Sequence, residues 1–154
     1  MGTQRTAMLV DDCSIDNYVN RKIILNYKFA ETVAVFQSPV KALAHLSKMD
    51  EGGPGMERIP DILFLDLNMP LLDGKEFMTH YMNLSPRITG HCRVVILSGT
   101  IDPVEMNVIR NIPQVITLIR KPLIKQNLDL LEHLLKPGFH IPDNIATNAM
   151  FFAK

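Results

Sequence analysis

The chain has 154 residues, 47% of them hydrophobic and 21% charged, which predicts one domain with a substantial core. Lys plus Arg and Asp plus Glu each number 16, so the net charge of zero gives no electrostatic reason to expect binding to nucleic acid or to an acidic membrane. No apolar run reaches the ~18 residues of a spanning helix, and Cys13 and Cys92 form no CxxC pair, which predicts a cytoplasmic protein with reduced thiols.

Short apolar runs alternate along the chain with stretches of helical spacing. The runs, rich in Val, Ile or Leu, are residues 7–10, 32–36, 62–65, 94–97 and 115–119. The helical stripes between and after them begin at Ile15, Val40, Phe77, Val104 and Ile124. Five strands alternating with five helices predict βαβ units and an α/β fold with a parallel sheet. Continuously apolar strands are typical of a doubly wound sheet covered on both faces.

Four of the five predicted strands run directly into polar residues. The first is followed by Asp11 and Asp12, the third by Asp66 and the fourth by Ser98, while the fifth leads into Lys121. The carboxyl ends of parallel strands lie along one edge of a sheet, where ligands bind. We therefore expect three carboxylates, a hydroxyl and an ammonium to converge there.

Three adjacent carboxylates raise one another's pKa, and a divalent cation with oxygen ligands removes the conflict, which favours Mg²⁺. Mg²⁺ commonly accompanies a phosphoryl substrate, whose oxygens need further donors such as Ser98 and Lys121. One carboxylate would then be the nucleophile. Asp66 is the better candidate because it stands alone, whereas Asp11 and Asp12 form a pair suited to holding the metal.

Each of these residues also has a plainer interpretation when taken alone. A single aspartate at a strand end is often a helix cap or a turn residue, Ser98 before Gly99 is compatible with an ordinary turn, and a lone Lys121 would be a solvated charge. Asp73 and Gly74 are interpreted as a structural turn that opens the third helix. The agreement of four strand ends favours the phosphoryl site over these separate explanations.

The same motifs resemble those of a receiver domain from a two-component response regulator, of the single-domain, chemotaxis-regulator-like kind. The matching residues are the acidic pair Asp11-Asp12, the stretch "DLNMPLLDG" at 66–74, Ser98 and Lys121-Pro122. The resemblance covers residues 5–136. It implies a (βα)5 flavodoxin-like fold, a doubly wound parallel sheet with strand order 2-1-3-4-5.

The resemblance also implies a mechanism. A histidine kinase or a histidine phosphotransfer protein would transfer a phosphoryl group to Asp66, with Ser98 and Lys121 assisting. Mg²⁺ would be held by Asp11, Asp12, Asp66 and the main-chain carbonyl of Asn68, and Lys121-Pro122 would carry a cis peptide. The domain would be no enzyme beyond its own phosphoryl transfer and slow dephosphorylation. It would signal through altered contacts with a downstream protein.

The sequence departs from the receiver pattern at three places. Leu118 stands where receivers usually carry an aromatic residue, three positions before the lysine. The loop at 50–60 is longer than usual. Residues 137–154 are expected to form an apolar, aperiodic tail with no separate output domain. Its residues 139–154 are expected to pack on their own domain or on a second copy, which would make a homodimer, and the alternative is a frayed terminus.

Two other functions remain open at this stage. A haloacid-dehalogenase-like phosphatase also places a nucleophilic aspartate after an apolar strand and uses Mg²⁺, but it needs a second aspartate two positions later. Asn68 stands there and cannot serve as a general acid. The third candidate is a pseudo-receiver that only binds a partner without being phosphorylated, against which the intact acceptor positions argue.

Overall fold

The computed structural model describes residues 4–55, 57–100 and 102–137, together with the backbone of 149–151. In chain order, the helices and strands are β1 (Thr6–Val10), α1 (Ser14–Asn26), β2 (Thr32–Phe36), α2 (Pro39–Glu51), β3 (Ile62–Asp66), α3 (Gly74–Tyr81), α4 (Pro86–Thr89), β4 (Arg93–Ser98), α5 (Pro103–Arg110), β5 (Val115–Arg120), α6 (Lys125–Leu134) and β6 (Ala149–Phe151). None of the helices in these ranges is long and apolar enough to cross a membrane.

The strands form one sheet in the order β2-β1-β3-β4-β5-β6, and the first five are parallel. The predicted α/β fold with strand order 2-1-3-4-5 is therefore confirmed. Successive strand residues point to opposite faces, so the sheet carries two hydrophobic cores. One core includes Ile24 of α1 and Leu128 of α6, and the other includes Leu46 of α2, Phe77 of α3 and Ile109 of α5.

Three of the strands end one residue later than the hydrophobic pattern predicts. Asp66 is the last residue of β3, Ser98 of β4 and Arg120 of β5. Backbone pairing continues past the apolar run because a strand's hydrogen bonds do not depend on its side chains. Asp66 and Ser98 thus belong to the strands themselves, which fixes their positions more firmly than a loop would.

Two elements were not predicted from the sequence. The first is α4, whose four residues are too few to show a helical period. The second is β6, which pairs antiparallel with β5 through Thr117↔Phe151, Leu118↔Met150 and Ile119↔Ala149. The aperiodic tail expected at 137–154 therefore contributes a strand, and the rest of that tail beyond Pro137 lies outside the described residues.

Deleting residues 139–154 should lower the melting temperature, because it removes the β6 partner of β5 and leaves that strand at the edge of the sheet. Loss of a few backbone hydrogen bonds costs about 1 kcal/mol or more, which corresponds to roughly 2–4 °C for a chain of this size. Thermal unfolding and light scattering would measure the stability and the mass. Deleting only 152–154, which spares β6, serves as the control. An unchanged melting temperature and mass in the longer deletion would contradict the prediction.

Candidate functional site

The carboxyl edge of the sheet brings the three predicted acidic residues together. Asp11 and Asp12 follow β1, and Asp66 ends the neighbouring β3, where Val10 is in register with Leu65. Each carboxylate offers an oxygen, and these oxygens all lie within 4.8 Å of one another. Asp11 and Asp66 are buried, at 2% and 4% exposure, while Asp12 is exposed. The cluster is thus accessible to solvent at Asp12.

The surroundings of Asp66 disfavour its ionised form. Burial, and then the charge of Asp11, raise its pKa from 3.8 to about 6, although Lys121 and the amide of Asn68 act in the opposite direction. The Asn68 N–H donates to Asp66 Oδ1 at 3.4 Å. The free-energy cost of the ionised carboxylate in this environment is reduced either by protonation or by a bound cation.

Lys121 supplies the positive charge of the site. Its Nζ lies 2.6 Å from Asp11 Oδ2, 3.0 Å from Asp16 Oδ2 and 3.2 Å from Asp66 Oδ1. Burial lowers the pKa of Lys121, but the hydrogen bonds to Asp11 and Asp16 and the nearby charges outweigh this effect and raise the pKa above its ordinary value. The side chain therefore remains an ammonium.

The backbone holds Lys121 beside β4. Its N–H donates to the Ser98 carbonyl at 2.8 Å, and the following Lys121–Pro122 peptide is cis, as the resemblance implied. Ser98 is fully buried at the same edge. Its hydroxyl donates to the Thr100 carbonyl and accepts the Thr100 N–H at 3.3 Å. Ser98 thus lies where the sequence predicted, with its hydroxyl bound to the loop after β4.

The loop between β3 and α3 is closed by the motif that the sequence identified as structural. The Gly74 N–H donates to the Leu67 carbonyl at 2.8 Å, and Asp73 caps α3 by accepting the Glu76 N–H at 2.9 Å. A Cβ on Gly74 would lie 2.8 Å from Leu67 Cα and 3.0 Å from the Asp66 carbonyl oxygen. Only glycine permits this close approach, which fixes the loop that follows Asp66.

Asp16 is the site residue that the sequence analysis missed. It lies in the first turn of α1 and reaches Lys121 across the edge of the sheet. A signal was available, because α1 begins four residues after β1 and its first turn must lie at the same edge. The sequence prediction for this helix used only its apolar residues, beginning at Ile15, and did not consider its charged residues.

The donor set fits Mg²⁺ well. Asp11, Asp12 and Asp66 provide only oxygen ligands, which Mg²⁺ prefers, and the exposed Asp12 leaves room for the waters that this ion usually retains. Burial and the charge of Asp11 raise the pKa of Asp66, and a bound cation would offset both effects. Asn68, whose carbonyl the resemblance named as a further ligand, follows Asp66 in an exposed part of the loop.

Solved structures of similar proteins share the fold of this chain. A response regulator receiver protein from Dyadobacter fermentans is 29% identical with a TM-score of 0.71, covering 84% of this chain and 97% of its own. A two-component response regulator from Cytophaga hutchinsonii is 25% identical with a TM-score of 0.75, covering 84% of this chain and 95% of its own. The response regulator domain of Thermotoga maritima CheB, at 21% identity and a TM-score of 0.61, shares the fold.

Curated relatives match part of the chain. A protein-glutamate methylesterase/protein-glutamine glutaminase from Thiobacillus denitrificans is 33% identical over 79 residues, which are 51% of this chain and 20% of the relative. The protein of the same name from Photorhabdus laumondii is 31% identical over 81 residues, 53% of this chain and 21% of its own length. The aligned region thus spans about a fifth of each relative. No family model matches the chain.

The fold, the strand order and these relatives identify the chain as a response-regulator receiver domain, a signalling domain of two-component systems.

Proposed function

We propose that the protein accepts a phosphoryl group on Asp66 from a histidine kinase or a histidine phosphotransfer protein in a Mg²⁺-dependent reaction. One observation carries the proposal. The partly buried ammonium of Lys121 contacts both Asp11 and Asp66 within a cluster of three carboxylates at the carboxyl edge of the sheet. Such a site has the nucleophile, the acidic ligands and the cationic donor that phosphoryl transfer to a carboxylate requires.

Each residue has a role in this reaction. An oxygen of Asp66 forms the new bond to phosphorus while the bond from phosphorus to the donor nitrogen breaks, and the donor imidazole keeps that electron pair. Mg²⁺, held by Asp11, Asp12, Asp66 and the Asn68 carbonyl, would neutralise charge on the phosphoryl oxygens. Lys121 donates to one of these oxygens, and Ser98 donates to another once its hydroxyl turns away from Thr100.

The output is a change in contacts with a downstream protein. The domain at 5–136 acts in the cytoplasm as a phosphoacceptor, and it is no enzyme beyond its own phosphoryl transfer and slow dephosphorylation. The tail at 137–154 is a candidate contact surface for a homodimer. Direct contact with nucleic acid is not expected from a chain with 16 acidic and 16 basic residues.

The competing functions lack a supporting observation of this kind. A haloacid-dehalogenase-like phosphatase needs a general acid two positions after its nucleophile, where this chain has Asn68. A pseudo-receiver would not need Lys121 in contact with two carboxylates of an otherwise metal-ready cluster.

The proposal is tested by incubating the protein with acetyl phosphate and Mg²⁺ and measuring its intact mass. The wild-type chain should gain one phosphoryl group, and Asp66→Asn should gain none, because the amide is not a nucleophile for this reaction. Asp129→Asn, which alters an exposed carboxylate paired only with Lys125 in the described contacts, should behave like the wild type.

Phosphorylation of Asp66→Asn with the same Mg²⁺ dependence would contradict the assignment of the acceptor. Repeated hydrolysis of a phosphomonoester by the wild type would favour the phosphatase instead. A chain that neither gains mass nor hydrolyses the ester would be a pseudo-receiver.

A further inference from the structure

The contact between Asp16 and Lys121 introduces a fourth carboxylate beside the site. Asp16 lies on α1, outside the group of Asp11, Asp12 and Asp66 whose oxygens could hold a metal. Its Oδ2 is 3.0 Å from Lys121 Nζ, and its side chain is 39% exposed. Asp16 is therefore bound to the cationic donor of the site without being part of the cluster of acceptor and metal ligands.

The contact between Asp16 and Lys121 matters because Lys121 can donate only a limited number of hydrogen bonds. An ammonium has three N–H donors and no acceptor. Three carboxylates, from Asp11, Asp16 and Asp66, lie within 3.2 Å of Nζ, so each donor already has a partner. A phosphoryl oxygen arriving on Asp66 must therefore displace one of them. Asp11 and Asp66 would then be engaged by the metal and the phosphoryl group, which leaves Asp16 as the remaining competitor.

The ion pair between Asp16 and Lys121 differs from an ordinary surface ion pair in its exposure to solvent. Lys125 and Asp129 are 51% and 57% exposed, so solvent screens their attraction. The side chain of Lys121 is only 16% exposed, and the neighbouring side chains of Asp11 and Asp66 are buried. A charge on Asp16 is consequently felt by the whole cluster, with less screening than at the surface.

We propose that Asp16 is a positioning residue that draws Lys121 toward α1 and sets the charge balance of the site, favouring the cation and opposing the anion. This inference rests on the proposed function, since the anion in question is the phosphoryl group. Removing the charge of Asp16 leaves Lys121 free to serve the phosphoryl oxygens. The same change takes one negative charge away from the neighbourhood of the bound Mg²⁺.

The inference predicts opposite effects of Asp16→Asn on two measurements. Binding of Mg²⁺ alone, followed by titration without any phosphodonor, should weaken roughly three- to ten-fold. The rate of phosphorylation by acetyl phosphate at saturating Mg²⁺ should increase by a similar factor. Asp16→Glu, which keeps the charge, should lie close to the wild type in both measurements. Asp129→Asn, in the exposed pair, should change neither.

A merely structural role for Asp16 would give a different pattern. If Asp16 only anchors α1, its loss should weaken Mg²⁺ binding and phosphorylation together, and that result would overturn the inference. If the wild type is phosphorylated and Asp16→Asn matches it in both measurements, the inference about Asp16 is also overturned. The proposed function would not be affected by that result. Failure of the wild-type chain itself to be phosphorylated would overturn the proposed function and this inference with it.

Discussion

Without Mg²⁺, the Asp66→Asn variant should be more stable than the wild type at neutral and alkaline pH, by on the order of 2–3 kcal/mol. The pKa of Asp66 is raised from 3.8 to about 6, first by burial and then by the charge of Asp11. The ionised carboxylate is thus costly in the folded protein, and asparagine keeps the shape of the side chain without that cost.

The sign of the pH dependence follows from proton binding. Between about pH 4 and pH 6 the folded state holds the Asp66 proton more tightly than the unfolded state, so the stability of the wild type falls as the pH rises through this window. Above about pH 6 the penalty is fully present, and below about pH 4 it is absent. The variant has no titrating group at this position, so its advantage should shrink as the solution is acidified through the same window.

Urea unfolding in a chelator, at several pH values across this window, would measure the difference. Asp129→Asn is the matched control, because its carboxylate is 57% exposed and its loss should change stability by no more than about 0.5 kcal/mol. Added Mg²⁺ should stabilise the wild type more than Asp66→Asn, since the variant lacks one charged ligand. Equal stability of wild type and variant at alkaline pH would contradict the prediction.

Much of the fold could be predicted because it depends on patterns within short stretches of sequence. Continuously apolar strands such as 62–65 indicated a sheet covered on both faces, and the structure places Phe64 and Leu65 in opposite cores. Polar residues directly after such strands must meet at one edge of a parallel sheet. That rule was enough to bring Asp11, Asp66 and Lys121 together from distant parts of the chain.

The features that were missed depend on contacts that no local pattern reports. Asp16 is one of many charged residues on helix surfaces, and only the three-dimensional path of α1 brings it to Lys121. The strand β6 is short and lies in a stretch without alternating polar and apolar residues, so the sequence pattern does not predict it. Its pairing depends instead on the backbone N–H and C=O groups along the outer side of β5, which would otherwise be an edge strand.

The departure at Leu118 has a structural counterpart. This residue is buried, at 1% exposure, in the same core as Ile109 of α5, and its backbone pairs with Met150 of β6. An aromatic side chain that turns between the core and the surface is absent from this position. If phosphorylation alters contacts with a partner as proposed, we expect the change to be carried by other elements, namely the loop after Ser98 and the start of α5, which follow the site in sequence.

Gly74→Ala should destabilise the protein and slow the proposed phosphorylation, because the added Cβ has no room beside the end of β3. It would lie 2.8 Å from Leu67 Cα and 3.0 Å from the Asp66 carbonyl oxygen, and both atoms belong to the backbone. Backbone cannot move aside as the end of a flexible side chain can, so the loop itself must shift. Overpacking of this kind costs about 1–3 kcal/mol, and a misplacement of about 1 Å at a reacting group can cost up to about 100-fold in rate.

The matched control is Gly99→Ala, at the other loop of the site. Gly99 follows Ser98 directly, yet a Cβ there would meet nothing within 4 Å. Thermal unfolding should show a melting temperature lowered by roughly 2–4 °C for each kcal/mol in Gly74→Ala, with little change in Gly99→Ala. Acetyl phosphate labelling should be slow in the first variant and close to normal in the second. If both variants label at the wild-type rate, the close approach of Gly74 does not position Asp66, and the loop is more tolerant than its packing indicates.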